Sequence, residues 1–104
     1  DQIIAVSGTG RRELLGKRVS AELEAAMNER EVVDTTQNKR KSIPLAEGDD
    51  YGNNVSQVIY PIISEGDITG AVAILAKENG AAIGETEAKL ARVAAEFLGR
   101  QMEN

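Results

Sequence analysis

The sequence predicts an α+β fold, in which an antiparallel β-sheet is flanked by helices and followed by a long C-terminal helix. Two apolar runs, at 55–63 and 68–76, are rich in β-branched residues, and a turn-forming tetrapeptide at 64–67 lies between them. After Glu85, apolar residues recur at the spacing of one helix face. A hairpin followed by a helix is therefore the prediction for the second half.

The first half of the chain gives shorter signals. The apolar residues at 2–7 predict a strand that ends at the glycines of 8–10. Ser20 is a good N-cap for a short amphipathic helix over 21–30. Weaker patterns predict strands at 32–36 and 42–45 and a loop at 46–54.

Length and composition indicate one domain over residues 1–104 with an aliphatic core. The 104 residues are 41% apolar but include only two tyrosines and one phenylalanine. The chain starts at Asp1 directly in an apolar run, so we expect a fragment of a longer protein. No apolar run approaches the ~20 residues of a membrane span, and no signal peptide is visible. We therefore expect a cytoplasmic protein without a membrane partner.

The absence of cysteine and histidine excludes several kinds of site. No thiolate nucleophile, disulfide or cysteine metal site is available, and the commonest general base and zinc ligand is missing too. Asp49, Asp50, Asn53 and Asn54 offer oxygen ligands, but not at the spacing of a calcium loop. We predict no catalytic residues, no metal and no cofactor, and an enzyme is the least favoured function class.

Charge argues against a direct nucleic-acid surface. Residues 1–41 hold eight basic and seven acidic side chains, and residues 42–104 hold four and ten. Nucleic-acid phosphates require concentrated positive charge, which neither half provides. The basic triplet at 39–41 is interpreted as a solvated edge or loop, with contact to an acidic partner as the alternative.

The closing helix is too apolar for a single buried face. On a helical wheel at ~100° per residue, its apolar and small residues span an arc of about 240°, whereas a surface helix needs little more than ~100°. We therefore expect the helix to be covered on two sides, by its own sheet and by a second helix. The alternative is a plain core helix in which alanines are filler.

This two-sided helix predicts self-association into a dimer or a tetramer. Two alternative faces could carry the contact, and the sequence leaves both open. They consist of Leu90, Ala94, Phe97 and Gln101, or of Ala88, Ala95 and Gly99.

The second half also resembles a known family. Residues 58–75 read VIYPIISEGDITGAVAIL and are similar to the late strand pair of GAF domains, which implies a GAF/PAS-like sheet. Together with AVSGTGRRELLGKRVS at 5–20 and AAEFLGRQMEN at 94–104, this segment resembles the C-terminal GAF-like domain of the stage V sporulation protein T family. These proteins are AbrB-type transcriptional regulators of spore-forming bacteria.

The resemblance implies a function for the parent protein. In that family a DNA-binding domain precedes the GAF-like domain, and helices form bundles between the subunits of a tetramer. Neither the DNA-binding domain nor the first helix of the GAF-like domain is expected in this chain, so DNA contact would belong to the missing domain. We expect a non-enzymatic regulatory and oligomerisation domain, active in the forespore. The alternative is a purely architectural module.

GAF domains elsewhere hold ligands between the sheet and its covering helices. This chain lacks the cysteine of chromophore-binding GAF domains and the signature of cyclic-nucleotide ones. A pocket for an unknown small molecule would be lined by sheet and loop residues, with core or turn roles as the alternative. These residues are Val6, Ser7, Gly8, Thr35, Thr36, Tyr60 and Ala73.

Overall fold

The structure, a computed structural model, describes residues 2–5, 20–35, 41–49, 55–77, 84–101 and 103. The strands form one sheet in the order β1-β4-β3-β2, with β2, β3 and β4 antiparallel. The α+β class is confirmed, and β1 extends the predicted antiparallel sheet by pairing with β4 in parallel. The elements are β1 (Gln2–Ala5), α1 (Ala21–Asn28), β2 (Val33–Asp34), β3 (Val55–Ser64), β4 (Asp67–Lys77) and α2 (Glu85–Gln101).

The β3–β4 hairpin forms where the sequence predicts it. The two strands pair from Val55 with Lys77 to Ser64 with Asp67. Between them Glu65 and Gly66 have φ of 52° and 87°. Two successive residues with positive φ are typical of a type I′ turn, whose twist matches that of the strands.

One irregularity interrupts the hairpin. The register shifts between Ile62 and Ile63, whose β4 partners are two residues apart, so Thr69 is the extra residue of a β-bulge. The Thr69 hydroxyl donates a hydrogen bond to the Ile62 carbonyl at 3.3 Å. Pro61 lies just before the bulge, beyond the residues of β3 that pair with β2. Its missing N–H therefore removes no hydrogen bond to β2.

Helix α1 has a defined start and end. The Ser20 hydroxyl accepts a hydrogen bond from the Leu23 N–H at 3.0 Å, which confirms the predicted N-cap. The helix ends at Asn28, two residues before the predicted end, because Arg30 adopts a left-handed conformation at φ 56°. Two backbone bonds over the last turn complete a Schellman motif, in which glycine is the usual residue at that position.

The segment at 41–49 covers the α1 side of the sheet without joining it as a ladder. The predicted strand at 42–45 is absent, because the main-chain groups of Ile43 bond to a side chain instead of to a neighbouring strand. The Gln57 amide accepts from the Ile43 N–H at 2.9 Å and donates to the Ile43 carbonyl at 2.7 Å. Ser20 fixes the next residues, since its N–H bonds to Leu45 O at 3.0 Å and its hydroxyl donates to Pro44 O at 2.6 Å.

The sheet separates two apolar cores. On one face α1 and the 41–49 segment pack on β2, β3 and β4, and on the other face α2 packs on β3 and β4. Alternate strand residues serve the two sides, as the two-residue period of a strand requires. Val58 lies in the α2-side core, and the next residue, Ile59, lies in the α1-side core.

Candidate functional site

The N-terminus of α2 is fixed by a side chain of its first turn. The Glu87 carboxylate accepts a hydrogen bond from the Gly84 N–H at 2.8 Å, and the Gly84 carbonyl accepts the first helical bond from Ala88 at 3.1 Å. This is the glutamate half of a capping box, with glycine as the N-cap. Acidic residues in the first turn and Arg100 in the last turn also complement the helix dipole. Both ends of the helix are therefore electrostatically favourable.

The inner face of α2 consists of small residues. Ala88, Ala91, Ala95 and Gly99 are buried against the sheet. The contact is closest at Gly99, where an added Cβ would collide with the main-chain oxygen of Ile63. Small side chains at this spacing let the helix axis approach the strands closely, and Leu98 packs against the same core at the border of this face.

Three of the larger apolar side chains of α2 lie on its outer face. Leu90, Val93 and Phe97 are 55%, 46% and 51% exposed, and we call these three residues the outer stripe. Their spacing of three and four residues places them on one side of the helix. Ile63, on β3, is the other exposed large hydrophobic residue in the described ranges, at 38%. A row of three large apolar side chains in water is typical of an interaction surface.

The two alternative association faces predicted from the sequence have different positions. On the first, Leu90, Phe97 and Gln101 are exposed and Ala94 is half-buried. The second, formed by Ala88, Ala95 and Gly99, is occupied by the chain's own sheet. Only the first face is therefore available to a partner.

Val93 belongs to the exposed face but was missing from the sequence-based interface residues. Its position on the helical wheel, next to Phe97 at one end of the apolar arc, was the signal that could have identified it. Exposed charged residues border the stripe on one side, and among them Lys89 and Glu96 are two helical turns apart. The outer stripe thus has an apolar centre and a charged edge.

Two of the predicted pocket residues that the structure describes lie on different faces of the sheet. Tyr60 packs against the α2-side core, whereas Ala73 is buried in the α1-side core. The two side chains are on opposite faces of the sheet, so one cavity cannot be lined by both. Thr35 is tied to the sheet, because its hydroxyl accepts from the Gln57 N–H at 2.9 Å. The remaining predicted pocket residues, Val6, Ser7, Gly8 and Thr36, lie outside the described residues.

The described part of the chain contains neither a candidate membrane span nor a candidate metal cluster. No described helix is long and apolar enough to cross a lipid bilayer. The described ranges also contain no group of three or more acidic, histidine or cysteine side chains placed to hold a metal ion. The outer stripe is therefore the best-defined candidate site among the described residues.

Comparison with known proteins gives consistent matches over almost the whole chain. The family model described as stage V sporulation protein T C-terminal, transcription factor, matches residues 1–103. Stage V sporulation protein T of Bacillus subtilis (strain 168) is 41% identical over 103 residues. The match covers 99% of this chain and 55% of that relative, so the chain spans about half the length of the relative.

Proposed function

Because this chain belongs to the family of stage V sporulation protein T C-terminal domains, we propose that it is the regulatory association module of a sporulation transcription factor. In this proposal two copies join through the outer stripe of α2. DNA contact belongs to the part of the longer relative that the chain does not match. The domain acts by setting the distance and orientation between the DNA-binding parts of two subunits.

The observation that carries the proposal is the exposure of Leu90, Val93 and Phe97 on a helix whose other face is already packed. Completing the burial of a half-exposed side chain of this size contributes on the order of 1 kcal/mol. Six such side chains in a symmetric pair contribute about 6 kcal/mol, against the loss of translational and rotational freedom on association. We therefore expect a dimer that dissociates on dilution.

Sedimentation velocity over a range of concentrations tests this association. The wild-type chain should shift from monomer to dimer as concentration rises. Phe97→Ser should remain monomeric with an unchanged circular dichroism spectrum, because the side chain is half-exposed and lies outside the core. Arg92→Ser is the matched control, since Arg92 is exposed on the same helix but outside the stripe. A wild-type chain that stays monomeric at the highest concentration contradicts the proposal.

A non-enzymatic role agrees with the family, whose description is that of a transcription factor. Within this role, small-molecule sensing and a purely architectural function remain separate candidates. The α1-side core supports the architectural one, because Leu23, Val33 and Leu45 are fully buried there and fill the space between the sheet and its cover.

A thermal-shift screen of cellular metabolites distinguishes the two candidates. A ligand that binds only the folded domain raises its apparent stability in a concentration-dependent way. Such a shift, abolished by a substitution on one face of the sheet, would favour sensing and identify the face. No shift with any metabolite would favour architecture.

A further inference from the structure

We infer that the end of the β3–β4 hairpin connects the two covers of the sheet, with Arg30 as the residue that holds the connection. We call residues 63–66 the hairpin end. Arg30, two residues past the end of α1, bonds to it, and Gly99 of α2 packs on it. Through these contacts a displacement of the C-terminus of α1 moves the last turns of α2. The inference concerns one copy of the domain and does not depend on the proposed association.

The contact from α1 is made by the Arg30 side chain. Its guanidinium Nη2 donates a hydrogen bond of 2.6 Å to the Gly66 carbonyl, 36 residues away in the chain. A charged donor makes such a bond stronger than one between two neutral groups. The bond therefore ties the end of α1 to the turn that closes the hairpin, although it is exposed to solvent.

The main chain of Arg30 is in a conformation that arginine does not favour. Its φ of 56° is left-handed, which is unfavourable for a residue with a Cβ and is usually adopted by glycine at helix ends. Glycine here would remove that cost, but it would also remove the bond to Gly66. Such conformations persist where the surrounding structure supports them. The side-chain bond thus opposes the strain of the main chain, and its loss favours release of the last turn of α1.

The hairpin end moves as one unit. Its two-residue turn closes directly on a ladder pair, Ser64 with Asp67, so the turn carbonyls and the main chain at Ile63 keep a fixed distance. The β-bulge at Thr69 lies behind this unit and interrupts the ladder to the rest of the hairpin. We therefore expect the strands to bend at the bulge when the turn is displaced.

The contact to α2 is made by main chain alone. An added Cβ at Gly99 would collide with the main-chain oxygen of Ile63, so no side chain separates the helix from the strand here. A side chain at this point could absorb a displacement by rotation, whereas two closely packed main chains transmit it. A shift of the hairpin end therefore reaches the last turns of α2.

The alternative is that the bond between Arg30 and Gly66 acts on α1 alone. Many interactions at exposed positions contribute little to stability, and a bond of that kind would leave α2 unaffected. The two interpretations differ in where the loss of the bond is detected. Residue-resolved measurements of local opening therefore distinguish them.

Amide hydrogen exchange of Arg30→Gly in the 104-residue chain is the first test. Glycine keeps the left-handed helix end without strain and removes the guanidinium, so α1 itself should exchange no faster. Amides of the hairpin end and of α2 residues 97–101 should exchange about two- to tenfold faster, because they open more readily without the bond. Amides of residues 89–92, at least about two helical turns before Gly99, are the internal control and should not change.

Two further variants separate the side chain from the main chain. Arg30→Asn also tolerates the left-handed conformation but is too short to replace the arginine, so it should reproduce the glycine result. Arg30→Lys keeps a charged donor on a long side chain, and its exchange should lie between that of Arg30→Asn and that of the wild-type chain. Wild-type exchange in the last turns of α2 in Arg30→Asn would contradict the role given to the bond.

A double-mutant cycle with Gly99→Ala gives a second readout. Arg30 and Gly99 belong to the covers of opposite faces of the sheet, and the effects of substitutions at separate sites ordinarily add. If the hairpin end connects the two residues, release of Gly66 lets the strand move away from the new Cβ. Gly99→Ala should therefore lower the folding equilibrium constant by a factor at least about twofold smaller in the Arg30→Gly background, measured by urea denaturation.

The outcomes separate this inference from the proposed function. Unchanged exchange in the last turns of α2 overturns the inference, and so does additivity in the cycle. Faster exchange throughout the described elements, including residues 89–92, reflects global destabilisation and overturns it as well. A wild-type chain that is monomeric at every concentration contradicts the proposed function and leaves the connection through the hairpin end standing.

Discussion

The two faces of the sheet are covered in different ways. The α1 side is filled by large aliphatic side chains, among them Leu23, Val33 and Leu45, and buried polar groups connect its layers. The α2 side is filled mainly by strand residues, because the helix contributes alanines and a glycine at the closest contact and a partly buried Leu98 beside them. Both sides exclude water from the sheet.

The difference shows that the size of the residues on a helix's inner face determines which of its apolar side chains stay exposed. A helix that packs through large residues buries its large apolar side chains in the core of its own domain. Helix α2 packs through small residues, so Leu90, Val93 and Phe97 remain for a second contact. Close packing on one face and an exposed stripe on the other are two consequences of one arrangement of residues. Three substitutions test this comparison, two on the α1 side and one on the α2 side.

The largest effect is expected from Gln57→Leu on the α1 side. The Gln57 side chain is fully buried and bonds to both main-chain groups of Ile43. Leucine would leave a buried N–H and a buried carbonyl without partners, at about 1–3 kcal/mol each. We expect a loss of about 2–4 kcal/mol in the free energy of unfolding, measured by urea denaturation. Asn28→Leu, at an exposed position, is the matched control and should change it by less than about 0.5 kcal/mol.

Gly99→Ala tests the α2 side and should give the next largest effect. In an exposed helix interior this change stabilises by about 1 kcal/mol. At Gly99 the new Cβ would collide with the main chain at Ile63, which cannot rotate away as a side chain could. We expect a loss of about 1–3 kcal/mol, with the neighbouring exposed Arg100→Ala close to neutral. An increase in the unfolding midpoint would disprove the close contact.

The smallest effect is expected from Ser20→Ala, which removes the α1 N-cap and the bond to Pro44 O. Loss of an N-cap costs about 1 kcal/mol, and the loss of a partner for the partly buried Pro44 carbonyl adds to this. We expect about 1–2 kcal/mol in the same urea measurement. Ser20→Asp keeps the cap acceptor but cannot donate to Pro44 O at neutral pH. Full recovery in this variant would show that the tie to the 41–49 segment contributes nothing.

Local signals in the sequence predicted much of the fold. The hairpin and its turn at 64–67, the N-cap at Ser20 and the long C-terminal helix all depend on residues close together in the chain. Strand period, turn composition and helix periodicity express preferences of a few neighbouring residues. Predictions made from these preferences were correct where no contact between distant residues replaced the local pattern.

The contacts between distant residues could not be predicted in this way. Gln57 and Ile43 are 14 residues apart, and Ser20 and Pro44 are 24 apart. Nothing near Gln57 in the sequence shows that its amide replaces a strand partner for Ile43. The positions of Tyr60 and Ala73 could not be predicted for a related reason, because the two residues are on different strands and only the register decides that they face opposite sides of the sheet.

The sequence by itself determined that α2 has more apolar surface than one contact can bury, since that property depends only on residue type and helix period. The tertiary structure alone decided which side faces the sheet. Ala88, Ala91, Ala95 and Gly99 allow the closest approach to β3 and β4, so their side is buried and the outer stripe faces away from the sheet. The distance at which the helix packs depends on residues of both the helix and the strands. That distance determines which face of α2 remains exposed for a partner.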